Sequence, residues 1–153
     1  MPGALLVVYH SRAGHTASLA RTVLEGARAS APTLALEEAD CFDAGPADVL
    51  RASGVILGTP ARFGYMSGAM KDFLERIYYE CLERTVGLPW ALFVKGDTDT
   101  SGAAASVERI VTGLRWRRVL PVLEVAGEIG EEQVASAYEL GGAMAAGIEA
   151  GLF

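Results

Sequence analysis

Ser11-Arg12-Ala13-Gly14-His15-Thr16 brings two hydroxyls, a glycine and two side chains able to carry positive charge together, close behind the apolar run Leu5-Leu6-Val7-Val8. Followed by a segment of helical period, such a loop suits an oxyanion, a phosphate above all. A helix starting near Gly14–Thr16 aims free N–H groups and a partial positive charge into the loop. Gly14 lets the backbone come close to a ligand, Ser11 and Thr16 add hydroxyl donors, and Arg12 and His15 add charge. The loop lacks the lysine of GxxxxGK[ST] and the triple glycine of GxGxxG, so it is neither of those nucleotide loops. An ordinary strand–helix turn capped locally by Thr16 accounts for the same residues, and this loop alone does not choose between the two.

Two other stretches carry candidate chemistry. In "GTPARFGYMSGAM", residues 58–70, Thr59-Pro60 stiffens the exit of an apolar run, and Phe63 and Tyr65 flank Gly64. Aromatic faces beside a glycine are placed to cover a flat ring rather than to fill a core, and Ser67 or Thr59 then caps the next helix. In "KGDTDTSG", residues 95–102, the carboxylates and Gly102 have the spacing of a calcium loop. A calcium loop of that kind follows a helix, whereas this one follows the apolar run Trp90–Val94. It reads instead as a polar loop offering backbone groups to the edge of a heterocycle, with Ser101 capping the following helix. No nucleophile, general base or metal ligand stands out, and His10 and His15 are read as neighbours of the crevice rather than as proton relays.

These loops need elements to hold them. Apolar runs at Ala4–Tyr9, Thr33–Leu36, Gly54–Gly58, Trp90–Val94 and Val119–Val125 alternate with stretches of helical spacing, the weakest of them near residues 46–52. Strand–helix alternation implies a parallel sheet covered on both faces by right-handed crossovers. The first, third and fourth runs are apolar throughout, as central strands buried on both faces are. The second alternates and the fifth contains Pro121, which donates no ladder hydrogen bond, so both belong at edges. The order 2-1-3-4-5 follows, and its reversal between strands one and three is the crevice where open α/β sheets bind ligands. The loops at 10–16, 59–67 and 95–102 meet there.

Bulk properties narrow the class. The 153 residues suit a single domain, 1–153, and 51% hydrophobic with 21% charged residues is a globular composition. A formal net charge of −6 argues against nucleic acid as a partner, and the basic cluster "RWRR" at 115–118 reads as the cationic close of a helix. No apolar run approaches the ~18 residues of a membrane span, and the N-terminus lacks a signal-peptide pattern. Cys41 and Cys81 form no metal or redox pair. The expectation is a cytoplasmic protein with structural thiols and no membrane partner.

"YHSRAGHTASLA" resembles the phosphate loop of flavodoxin-fold proteins, and "GTPARFGYMSGAMKDFLER" is similar to the ring-binding segment of the WrbA-type NAD(P)H:quinone oxidoreductases, with weaker similarity through "ASAYELGGAMAAG". The resemblance implies an α/β, flavodoxin-like three-layer sandwich with a five-stranded parallel sheet, and FMN as cofactor. Ser11, Arg12, Ala13, Gly14, His15 and Thr16 would wrap the phosphate. Pro60, Ala61, Arg62, Phe63, Gly64 and Tyr65 would line the isoalloxazine, and Gly96, Asp97 and Thr98 would meet its pyrimidine side. The implied activity is NAD(P)H-dependent reduction of quinone-like or other small acceptors. The alternatives are a flavodoxin-type electron carrier between protein partners and a flavin-free interaction module. Three departures stand out. Ala13 replaces a third phosphate-loop hydroxyl, and one hydrogen bond to a charged phosphate is worth ~1.5–3 kcal/mol. An acidic loop stands where the quinone reductases have a small, glycine-rich one, which lowers the flavin potential. The interface insertions of those tetramers are not identifiable, so a homo-oligomer, dimer or tetramer, stays open.

Overall fold

Strand and helix alternate along the computed structural model, which describes residues 2–153. The first half runs β1 (Ala4–Tyr9), α1 (His15–Ser30), β2 (Leu36–Asp40), α2 (Pro46–Arg51), β3 (Ala52–Arg62) and β4 (Tyr65–Met66). The second half runs α3 (Gly68–Cys81), β5 (Pro89–Gly96), α4 (Ser101–Gly113), β6 (Arg117–Arg118), β7 (Leu123–Ala126) and α5 (Glu131–Glu149). The parallel order is β2-β1-β3-β5, with β6 and β7 both pairing with β5 on its far side. This is the expected 2-1-3-4-5 path with its last strand in two pieces. Pro121 lies between the pieces, where its missing N–H interrupts the ladder.

The fully apolar strands are the buried ones. Leu5–Val8, Val55–Leu57 and Ala91–Val94 are closed off from solvent. Side chains alternate across the sheet, so it has two cores. One joins Leu6, Val8, Leu57 and Val94 to Phe73 and Ile77 of α3 and Val107 of α4. The other joins Leu5, Val7, Ile56 and Phe93 to Leu19 and Val23 of α1 and Met144 of α5. Each such side chain contributes about 1.5–3 kcal/mol by leaving water. Cys41 and Cys81 are buried, and burial pushes the Cys41 thiol up to about 12, so both are inert packing groups.

Three expectations need correction, and the packing of the last helix is settled besides. β2 begins at Leu36 rather than Thr33, because the chain is still turning at Leu34, whose N–H donates to Ala31 O at 3.1 Å. β3 continues past Gly58 to Arg62 and folds back as an antiparallel hairpin with β4, so the sheet is not wholly parallel. "RWRR" does not close a helix: α4 ends at Gly113, Arg115 turns out at φ 60°, and Arg117-Arg118 form β6. Trp116 is buried instead, donating from Nε1 to Thr85 Oγ1 at 2.8 Å, while Arg118 pairs with Glu108. The glycines of the last helix pack within the chain, since a Cβ on Gly141 would lie 1.8 Å from Val23 O and one on Gly26 2.0 Å from Tyr138 O.

Candidate functional site

The exit of β1 is tied down from the side. Tyr9 Oη donates to Glu38 Oε2 at 2.6 Å, and burial together with this bond pushes its phenol up to about 12. His10 Nδ1 lies 3.0 Å from Asp40 Oδ1. Beyond these two ties the chain turns through Ser11–Gly14, where Ser11 Oγ accepts the Gly14 N–H at 3.1 Å. Gly14, at φ 93°, is the N-cap of α1 and makes no side-chain cap to the helix. Thr16 is therefore not the cap; it is buried one turn-residue inside and lines the cavity. The first N–H groups of α1 stay free toward the loop, which is the arrangement an oxyanion needs.

The second loop is a two-residue hairpin. Arg62 pairs with Tyr65, and the tip between them is Phe63 at φ 53° and Gly64 at φ 71°. Positive φ at both central positions is the type I′ pattern, in which Asn-Gly is favoured and a bulky first residue is strained by about 1–2 kcal/mol. Phe63 takes that strain while fully exposed, so core packing does not account for it. The base of the hairpin is rigid: Ser67 N donates to Thr59 Oγ1 at 3.0 Å, and Ser67 Oγ caps α3 by accepting from Met70 N at 3.2 Å. Met66 N donates to Ser106 Oγ of α4 at 3.0 Å.

The third loop turns at Asp99, whose carboxylate accepts from both Ser101 Oγ at 2.8 Å and Ser101 N at 3.0 Å. Those bonds hold its pKa below the usual carboxylate range. Ser101 is thus the first residue of α4 and not its cap, which is Thr100. Thr100 Oγ1 donates to Glu124 Oε1 at 2.8 Å and fastens the loop to β7.

The three loops meet at the carboxyl ends of the strands. Ser11, Ala13, Thr16, Pro60, Gly96 and Asp97 line one cavity of about 210 Å³, with Arg12, His15, Ala61 and Arg62 also on its walls. Across Arg12 and Arg62 lies a larger apolar cavity of about 690 Å³, walled by Phe63 and Tyr65. Gly14, Gly64 and Thr98 line neither cavity. Beyond the named site candidates, His10 and Met66–Ala69 also line the larger cavity, and Phe42 and Lys95 join the site from elsewhere. Phe42 walls the larger cavity from the loop after β2, which Arg76 clamps by donating from Nη1 to Ala44 O at 2.8 Å and from Nη2 to Cys41 O at 2.5 Å. Lys95, at the end of β5, lines the smaller cavity. A charge closing an otherwise apolar strand was the available signal for it, whereas nothing in "CFDAG" marks Phe42.

The chain matches the flavodoxin family over residues 7–141. An NAD(P)H dehydrogenase (quinone) of Acidithiobacillus ferrooxidans is 33% identical over 138 residues, covering 77% of this chain and 69% of that protein. One of Archaeoglobus fulgidus is 28% identical over 127 residues, covering 67% and 66%. The chain thus spans about two thirds of the length of these two relatives. In three dimensions it is similar to a flavodoxin from the domain Archaea, with a TM-score of 0.84 at 16% identity over 95% of this chain and 99% of that one. A WrbA-like protein from Agrobacterium tumefaciens aligns with a TM-score of 0.78 at 19% identity over 97% and 98%.

Proposed function

The chain belongs to the flavodoxin family, and on that footing we propose that it is an FMN-dependent oxidoreductase that takes electrons from NAD(P)H and passes them to quinone-like or other small acceptors. The observation that carries this reading is the exposed, strained Phe63 beside a glycine-capped helix N-terminus: one suits a flat ring, the other a phosphate. The residues present fit FMN. Ser11–Thr16 would hold the phosphate, Pro60–Tyr65 the ring, and Gly96–Thr98 the pyrimidine edge. Bound FMN supplies hydride acceptance at N5 and electron delivery to the acceptor.

The protein's part is to bind, orient and tune. The hairpin tip would offer the exposed Phe63 face to the ring. The N–H groups of α1 would meet the phosphate dianion with a fixed positive potential. Asp97, on the cavity wall, would place negative charge near bound FMN and lower its potential. Arg12 and Arg62 form no ion pair among the described residues and line both cavities. A cationic rim attracts an anionic dinucleotide and suits a carrier's docking face less well, since carriers present acidic ones. No helix among the described residues is long and apolar enough to cross a membrane.

The test is steady-state turnover of the FMN-reconstituted protein with NADPH or NADH and a benzoquinone. FMN-dependent turnover is expected. A bound flavin that neither dinucleotide bleaches, but that a redox partner protein reduces, overturns the enzyme in favour of the carrier.

A further inference from the structure

We propose that Lys95 is a cationic partner of the cofactor phosphate and takes over the contact that Ala13 lacks, an inference that rests on the FMN reading above. Lys95 follows Phe93 by two positions on β5, so its side chain leaves the sheet on the face that α1 and α5 cover. It lines the 210 Å³ cavity together with Ser11, Ala13 and Thr16. The same lining includes Pro60, Ala61 and Gly96, so Lys95 stands where the proposed phosphate loop meets the proposed walls of the ring.

Lys95 is only 8% exposed. Its ammonium donates to Gly96 O at 2.9 Å and makes no ion pair with a carboxylate among the described residues. Asp97 and Glu128 share with it the outer cavity beside Ser18 and Ile129, but neither pairs with it. An ammonium has three donors, and lysine is almost never fully buried unless paired. A single carbonyl leaves two of those donors without a protein partner among the described residues, and the cavity Lys95 lines is walled by Ser11, Thr16 and the start of α1. These groups want an anion; Asp97, which lines this cavity too, is the one carboxylate on its wall and forms no ion pair with Lys95. Where a third hydroxyl would stand, Ala13 offers a methyl group; a point charge lining the same cavity would replace a neutral donor with a stronger one.

The experiment compares FMN with riboflavin, which differs only by the phosphate, in fluorescence titrations of the wild type, Lys95→Met and Lys95→Arg. Lys95→Met is expected to weaken FMN about tenfold or more and leave riboflavin unchanged. Lys95→Arg, which keeps the charge, is expected to recover part of the loss. Equal weakening of both flavins, or of neither, overturns the role of Lys95. A second arm uses inorganic phosphate against chloride at matched ionic strength, reading Tm. The wild type is expected to gain Tm with phosphate and Lys95→Met to gain none. A wild type that takes up neither flavin overturns the FMN reading, and the phosphate arm then decides Lys95 alone. Equal Tm gains in wild type and variant, or no gain in the wild type, overturn it.

Discussion

Glycine serves opposite purposes in two regions of this molecule. Along the seam between α1 and α5, a Cβ on Gly141 would lie 1.8 Å from Val23 O and one on Gly26 2.0 Å from Tyr138 O, so the helices touch backbone to backbone. At the ligand rim, a Cβ on Gly14 or Gly64 would meet nothing within 4 Å, yet their φ angles of 93° and 71° disfavour any other residue. The seam lacks room and the rim lacks conformational permission. Rigidity is thus concentrated in the layer beneath the site, while the rim keeps open space above strained backbone, as a surface that must receive a ligand requires.

The comparison can be broken by substituting on each side. The largest effect is expected from Gly141→Ala, whose added methyl forces α1 and α5 apart. Overpacking of this kind costs about 3 kcal/mol at its upper end, or roughly 10 °C in Tm for a chain of this size. FMN affinity of the folded fraction should be unchanged, and a thermal melt with a flavin titration checks both. Gly64→Val should cost less, ~1–2 kcal/mol, because only the backbone angle is penalised, and it should weaken FMN by disturbing the hairpin tip. A melt as low as that of Gly141→Ala would mean the tip is packed after all. The smallest effect sharpens the contrast: Phe63→Asn puts the preferred residue into the type I′ turn and should raise stability by ~0.5–1 kcal/mol. It should at the same time weaken FMN, since the aromatic face is gone. Urea unfolding of the apo-protein beside the titration would show whether strain and binding trade against each other at this residue.

Much of the frame could be read in advance for physical reasons. β1 is legible because Ala4–Val8 are apolar and buried, and the edge strand because Pro121 cannot donate to a ladder. The three loops followed from the strand order alone. β2 escaped because an edge strand needs only one apolar face: Glu37, Glu38 and Asp40 look like a loop, yet they pair in register with Leu6, Val7 and Tyr9. The hairpin was hidden by Pro60, which reads as a breaker. β1 stops pairing with β3 at Gly58, however, so beyond it the missing N–H costs a central ladder nothing. Arg117 and Arg118 suited a helix end by charge, and the burial of Trp116 decided otherwise. Phe42 reaches the site through a tertiary neighbour, Arg76, which no local pattern encodes, whereas the one local sign of Lys95 is a charge closing an apolar strand.

The interrupted last strand has a bearing on how the protein behaves in crowded solution. An unbroken apolar edge offers a row of free N–H and C=O groups onto which another chain can add. Here one border of the sheet is two short pieces around a proline, the first made only of arginines, and the other border carries Glu37, Glu38 and Asp40. Neither border offers a long neutral template. The same break that spoils the ladder guards the protein against edge-to-edge aggregation while the sheet is forming.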